Sequence, residues 1–198
     1  MLIRIAHESP NSIFKEVSGL TDIDYALVHL FEENEQYLKN FKESAARGRE
    51  IILDNSIFEL GEAFDPEKYA DWIVELKPTW YIIPDVLEDG FATIQEFVRF
   101  KQNFEGLLPG RTIAASQGKT LYELLFCFEF LHNDPFTDMV ALTFNLSLYE
   151  NLIPVGDSLV RKMLGRQLVV ELLNERYKAG YFHKPVHLLG CALPQEGL

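Results

Sequence analysis

The sequence predicts an α/β fold with a parallel sheet, on three observations. Short apolar runs alternate with longer amphipathic ones along the whole chain, the apolar runs hardly alternate in polarity, and polar residues collect just past their ends. Apolar runs without alternation are covered on both faces, and parallel strands need crossover connections, normally helices.

The first predicted strand is Leu2–Ala6, ending at His7-Glu8, and the second is Tyr25–Leu30, with Glu32-Glu33 beyond it. An amphipathic helix over Glu33–Arg47 leads to a strand at Glu50–Leu53, which runs into Asp54-Asn55-Ser56. The next helix, Pro66–Leu76, carries Tyr69, Trp72, Ile73 and Leu76 at helical spacing, with Asp65 as N-cap and proline at the first helical position. Trp80–Pro84 reads as a strand ending in Asp85, with Glu88 and Asp89 as acidic charges at the start of a helix over Gly90–Phe104. Thr112–Ser116 is a strand followed by Gln117, then a helix over Leu121–Leu131 and a loop at His132–Thr137. Met139–Phe144 is a strand with Asn145 and Ser147 at its end. The irregular stretch Leu148–Asp157, with Pro154 and Gly156, suits either a lid or a surface connection. A helix over Ser158–Ala179 and a strand over Val186–Gly190, followed by Cys191 and Gln195-Glu196, complete the series.

Strand-end polar residues converge on one mouth in a (β/α) barrel, whereas a doubly wound sheet gathers them at a single switch point. The polar residues here follow every strand, and no Gly-x-Gly-x-x-Gly turn marks a dinucleotide site. The expected fold is therefore a (β/α)8, TIM-barrel-like domain over residues 1–198, incomplete at the C-terminus. The apolar runs supply about seven strands, and the chain is shorter than the about 250 residues of a full barrel.

Composition limits the function. With 18 Lys+Arg against 30 Asp+Glu the net charge is −12, and without a basic run the chain is a poor non-specific binder of nucleic acid, although scattered residues can still build a local basic groove. Cys127 and Cys191 have no paired spacing, which argues against a disulfide framework and a cysteine zinc site. His29, His132, His183 and His187 show no metal-ligand spacing, so neither a metal nor a cofactor is expected. Charge interrupts the N-terminus before a signal-peptide core could form, and no stretch reaches about 20 apolar residues, so a cytoplasmic protein without a membrane partner is expected.

Four constellations can carry chemistry. Asp54 and Asp85 end apolar strands, where two carboxylates from successive strands can share a ligand, one accepting hydrogen bonds and the other acting as acid, base or nucleophile; Asp54 can equally cap its own turn. In Ser116-Gln117-Gly118-Lys119-Thr120 the amide can both donate to and accept from a heterocycle edge, and Gly118 permits close approach. A phosphate-loop reading fails there because Arg111 through Gln117 contains no glycine. The last is His187-Leu188-Leu189-Gly190-Cys191-Ala192-Leu193-Pro194-Gln195-Glu196; His7 ends the first strand as a further candidate.

The succession Leu53-Asp54-Asn55-Ser56, Pro84-Asp85, Gln117-Gly118 and Leu188-Leu189-Gly190-Cys191-Ala192-Leu193-Pro194-Gln195-Glu196 resembles the tRNA-guanine transglycosylase superfamily. It is most similar to the short phage and bacterial branch that inserts 7-deazaguanines into DNA. The resemblance implies a pentosyltransferase that exchanges guanine in nucleic acid for a 7-deazaguanine. Asp54 would be the acid/base, Asp85 would bind the Watson–Crick edge, and Gln117 and Gly118 would read the carbonyl. Asn145 would lie where the family contacts the base through loop backbone; Ser56, Gly190 and His7 are further candidate substrate-binding positions. The family's nucleophilic aspartate would fall on a strand beyond Leu198. The tRNA-acting members' zinc site of three cysteines and a histidine has no counterpart, which favours DNA over tRNA and, for a phage protein, the host cytoplasm. A non-catalytic barrel that binds a purine or nucleotide is the alternative. A homo-oligomer or partner covering an open barrel edge is also expected.

Overall fold

The computed structural model describes residues 4–144 and 146–191. The strands are β1 (Ala6–Glu8), β2 (Ile23–Leu27), β3 (Glu50–Asp54), β4 (Trp80–Ile83), β5 (Arg111–Ser116), β6 (Met139–Leu142) and β7 (Val186–Leu188). The helices are α1 (Phe14–Ser18), α2 (His29–Glu33), α3 (Glu35–Ala46), α4 (Ile57–Leu60), α5 (Pro66–Leu76), α6 (Gly90–Phe104), α7 (Leu121–Asn133), α8 (Ser147–Leu152) and α9 (Ser158–Lys178). They form one seven-stranded sheet in the order β1-β2-β3-β4-β5-β6-β7. A doubly wound sheet reverses its order at a switch point, and this one does not, so the α/β class and the singly wound arrangement hold. Among the described residues no helix is long and apolar enough to cross a membrane.

The chain gathers into two compact units, Met1–Pro84 with Arg99–Thr112 and Asp85–Val98 with Ile113–Leu198. In the first, β1 to β4 pair in parallel, with Glu8 opposite Tyr25, Tyr25 opposite Ile52 and Leu53 opposite Tyr81. Leu53, Ile51, Ile52 and Tyr81 are fully buried, as expected for strands covered on both faces. Phe31 packs its ring 5.5 Å from Trp72 and 5.9 Å from Phe41, so α2, α3 and α5 share one aromatic layer. Asn34 caps α3 by accepting from Tyr37 N–H at 3.0 Å, and Asp65 caps α5 by accepting from Lys68 N–H at 2.9 Å. Asp24 sits inside β2 at 2% exposure, accepting from Ser18, from Ser44 and from Arg49 at 2.8 Å.

The second unit holds β5 from Ile113 onward with β6 and β7, again parallel, with Ala115 opposite Ala141 and Ala141 opposite His187. Leu124, Cys127, Phe128 and Leu131 form the buried face of α7. His132, at the end of that helix, accepts through Nε2 from the backbone N–H groups of His183 and Lys184, both at 2.9 Å, and so fixes the approach to β7. Gly165 lets α9 lie directly on α8: a Cβ there would run into the Tyr149 carbonyl oxygen and lie 2.6 Å from the Tyr149 Cα.

Helices α5 and α6 match their expected bounds, and the differences elsewhere have local causes. The first strand lies at Ala6–Glu8, so His7 and Glu8 are in it rather than beyond it; Leu2 and Ile3 fall outside the described residues. The second ends at Leu27, because Val28 already has helical φ and ψ, and Glu32 and Glu33 belong to α2. The buried run Ala26-Leu27-Val28 passes straight into Phe31 of α2, so hydrophobicity alone does not mark that border. The irregular stretch contains helix α8, and its remainder is pinned by Arg161, which donates to the carbonyls of Glu150 and Ile153.

Candidate functional site

In the first unit Asp54 ends β3. Its Oδ1 accepts the Ser56 N–H at 2.6 Å, closing the turn, and its Oδ2 accepts the Tyr25 hydroxyl. Asn55, fully buried, accepts from Ile57 N–H at 3.0 Å and donates to the Ile83 carbonyl at 3.1 Å, which ties this turn to the end of β4. Ser56 is buried with a left-handed φ of 59°, and its Oγ accepts from His29 N–H at 3.3 Å. A non-glycine residue in that conformation is strained by about 1–3 kcal/mol and persists only where its surroundings over-determine it. Asp54 thus closes its own turn through one oxygen and reaches Tyr25 on the neighbouring strand through the other.

Tyr25 is the residue the sequence reading misses. Strand side chains repeat with period two, and Tyr25 is opposite Ile52 in the parallel register, so Tyr25 and Asp54 face the same side of the sheet. The available signal is the alternation Ile23, Tyr25, Leu27 against Asp24 and Ala26. Burial first, and then the Asp54 carboxylate, push the Tyr25 phenol well above its usual range. Glu8, opposite Tyr25 on β1, is raised by burial and by the Glu59 carboxylate. Tyr37 is raised as well, chiefly by burial, and its oxygen accepts the Leu27 N–H at 2.9 Å. His7 is exposed, with ring Nδ1 donating to the Glu8 carbonyl.

In the second unit Asp85 follows β4 and is 3% exposed, and Gln117 follows β5 and is fully buried. Gln117 Nε2 donates to Asp85 Oδ2 at 2.6 Å, while Gln117 Oε1 accepts the Glu88 N–H at 3.0 Å. That backbone bond settles which end of the amide faces Asp85. Glu88 has a left-handed φ of 56°, and its carboxylate accepts the Ser147 N–H at the start of α8. Partial burial opposes its ionisation, but the Ser147 bond and the nearby Lys119 and Lys162 outweigh this and hold it below the usual range. Asp89 is the α6 capping charge expected, accepting from Ala92 N–H at 2.9 Å; Glu88 instead straps its loop to α8.

A Cβ on Gly118 would lie 2.5 Å from Leu124 N, so the missing side chain lets this loop lie against the first turn of α7. Gly90, not singled out from sequence, is required because a Cβ there would lie 2.6 Å from the Gln117 carbonyl oxygen. Gly190 has a left-handed φ of 61°, and its carbonyl accepts from Arg166 Nη2 at 3.5 Å. Arg166 is a second residue that the sequence reading misses: it is 1% exposed, donates to the Leu142 and Leu189 carbonyls, and stacks 4.9 Å from the Phe144 ring centroid. It fixes the ends of β6 and β7 together. Burial and the Arg166 charge push His187 down to about 4. Asn145 and Ala192 to Glu196 lie outside the described residues.

The structure therefore brings Asp85 to Gln117, and Asp54 to Ser56; the two carboxylates belong to different compact units. No known-family model and no curated protein matches the chain. The site is accordingly read from its chemistry. Among the described residues no group of three or more His, Cys, Asp and Glu is placed to hold a metal ion. What the side chains offer instead is a carboxylate acceptor beside an amide donor in the second unit, and a carboxylate held by two donors in the first.

Proposed function

We propose that this chain is a transglycosylase-type barrel protein that recognises a guanine or 7-deazaguanine base and exchanges it in nucleic acid, DNA rather than tRNA. The observation that carries the reading is the Asp85–Gln117 pair. Guanine presents two adjacent donors, N1–H and the exocyclic amine, beside one acceptor, O6. A carboxylate and an amide N–H held 2.6 Å apart at neighbouring strand ends offer the complementary pattern. Gln117 commits one amide hydrogen to Asp85 and its oxygen to Glu88, so the ligand's carbonyl takes the second amide hydrogen. Burial makes the match selective, since an unsatisfied group there costs about 1–3 kcal/mol. Asp54, held by two donors, supplies proton transfer. The straight strand order supports the (β/α)8 type, in which active sites form at the carboxyl ends of the strands.

Calorimetric titration with guanine, a 7-deazaguanine base and adenine tests this. The wild type binds the first two and rejects adenine; Asp85→Ala weakens binding roughly tenfold to a hundredfold; Asp54→Ala binds but does not exchange a labelled base into DNA. Adenine bound as well as guanine, or no purine bound, overturns the reading. Binding without exchange by the wild type assigns the non-catalytic alternative.

A further inference from the structure

We propose that Tyr25 is the positioning residue of Asp54, holding it as an ionised carboxylate so that Asp54 enters any reaction as a base rather than as an acid. The inference deepens the proposed exchange and rests on that reading for its use. Three features of the first unit carry it. The Tyr25 hydroxyl donates to Oδ2 while the Ser56 N–H donates to Oδ1, so each carboxylate oxygen receives a donor and the plane of the group is fixed. Tyr25 is itself anchored in β2, between Glu8 on β1 and Ile52 on β3, so its ring is set by the sheet rather than by a loop. Burial, and then the charge of the Asp54 carboxylate it touches, disfavour a phenolate, so the proton stays on Tyr25 and the hydroxyl remains a donor. Glu8, His7, His29 and Tyr37 are further titratable groups at this end of the strands.

A carboxylate in a polar, hydrogen-bonded setting stays charged, while its partner in acid–base work must come from elsewhere. In the exchange the guanine departs first and takes its proton from water; Asp54 then accepts the proton that the incoming base loses as it bonds to the sugar, and returns it to water.

The test is a carboxyl carbon NMR titration of aspartate-labelled protein, with the Asp54 signal assigned from Asp54→Asn. In Tyr25→Phe the Asp54 midpoint moves up by about one to two pH units, the worth of one hydrogen bond to a charged group. Replacing tyrosine by 3-fluorotyrosine keeps the ring shape and gives a more acidic, stronger donor, so the midpoint falls and the proposal stays testable if the phenylalanine variant does not fold. In the exchange assay the acid limb of the Tyr25→Phe profile moves up with the midpoint, while the rate at alkaline pH returns towards wild type. A midpoint that moves in neither variant overturns the inference whether or not the protein exchanges bases. A midpoint that moves in a protein without exchange upholds the inference and refutes the transglycosylase reading instead.

Discussion

Replacing Gln117 separates its two hydrogen bonds from its shape. Gln117→Ala removes the donor to Asp85 and the acceptor for Glu88 N–H in a fully buried position, leaving two groups short of one partner each. At about 1–3 kcal/mol per group the loss is about 2–6 kcal/mol, a large fraction of a typical domain's stability. Gln117→Glu keeps the shape and makes the cost depend on pH. Protonated, the introduced carboxyl donates O–H to Asp85 and accepts from Glu88 N–H as the amide does; ionised, it sets two carboxylates against each other in a buried place. Burial and Asp85 therefore raise its pKa in the fold, so the native state binds the extra proton. The variant is closest to wild type below the unfolded value of about 4.3, and its deficit grows by about 1.4 kcal/mol per pH unit until the raised native value is reached. Urea unfolding of wild type and both variants at pH 5 and pH 8 measures this. A Gln117→Glu deficit equal at the two pH values would show that the amide does not bridge Asp85 and Glu88 as described.

Two further outcomes follow from the packing and from the histidine of β7. Gly165→Ala drives a methyl into the Tyr149 carbonyl oxygen and to 2.6 Å from the Tyr149 Cα, atoms of the backbone that cannot turn aside, so about 1–3 kcal/mol of stability is lost in urea titration; an unchanged midpoint contradicts the α8–α9 contact. His187, held at about 4 against an unfolded value near 6.5, contributes stability that is complete above about pH 6.5 and is lost as the pH falls towards 4, by about 3 kcal/mol at most. His187→Gln, neutral throughout, flattens that part of the pH–stability curve, and a curve of unchanged steepness between pH 7 and 4.5 argues against that environment.

Where one chemical signal dominates, the sequence is readable. Asp65-Pro66 with apolar residues at helical spacing locates α5 to the residue, and the uninterrupted apolar runs locate β3 and β4 because both are buried on both faces. Hydrophobicity fails at β2, where Asp24 lies within the strand and is satisfied by Ser18, Ser44 and Arg49, partners that are distant or irregular in sequence. The site divides in the same way. Asp85 and Gln117 are legible as candidates because strand-end placement is a local property, whereas the hydrogen bond that joins them belongs to the folded chain. Tyr25 and Arg166 act across strands, through a register and a helix packing that one sequence does not display. At Gly118 a need for space is visible in sequence, whereas the α7 backbone that lies beside it is not.

The straight strand order also has a consequence for how the chain folds. Each strand's neighbour in the sheet is the next one in sequence, so every pairing closes a loop of one or two helices, and the entropy of closure rises only slowly with that length. Contacts of short sequence separation favour rapid folding, and during synthesis each emerging strand meets an edge already made by its predecessor. Adding or removing a terminal strand–helix repeat alters one pairing and leaves the others intact, so a sheet wound in this way can change its number of strands one step at a time.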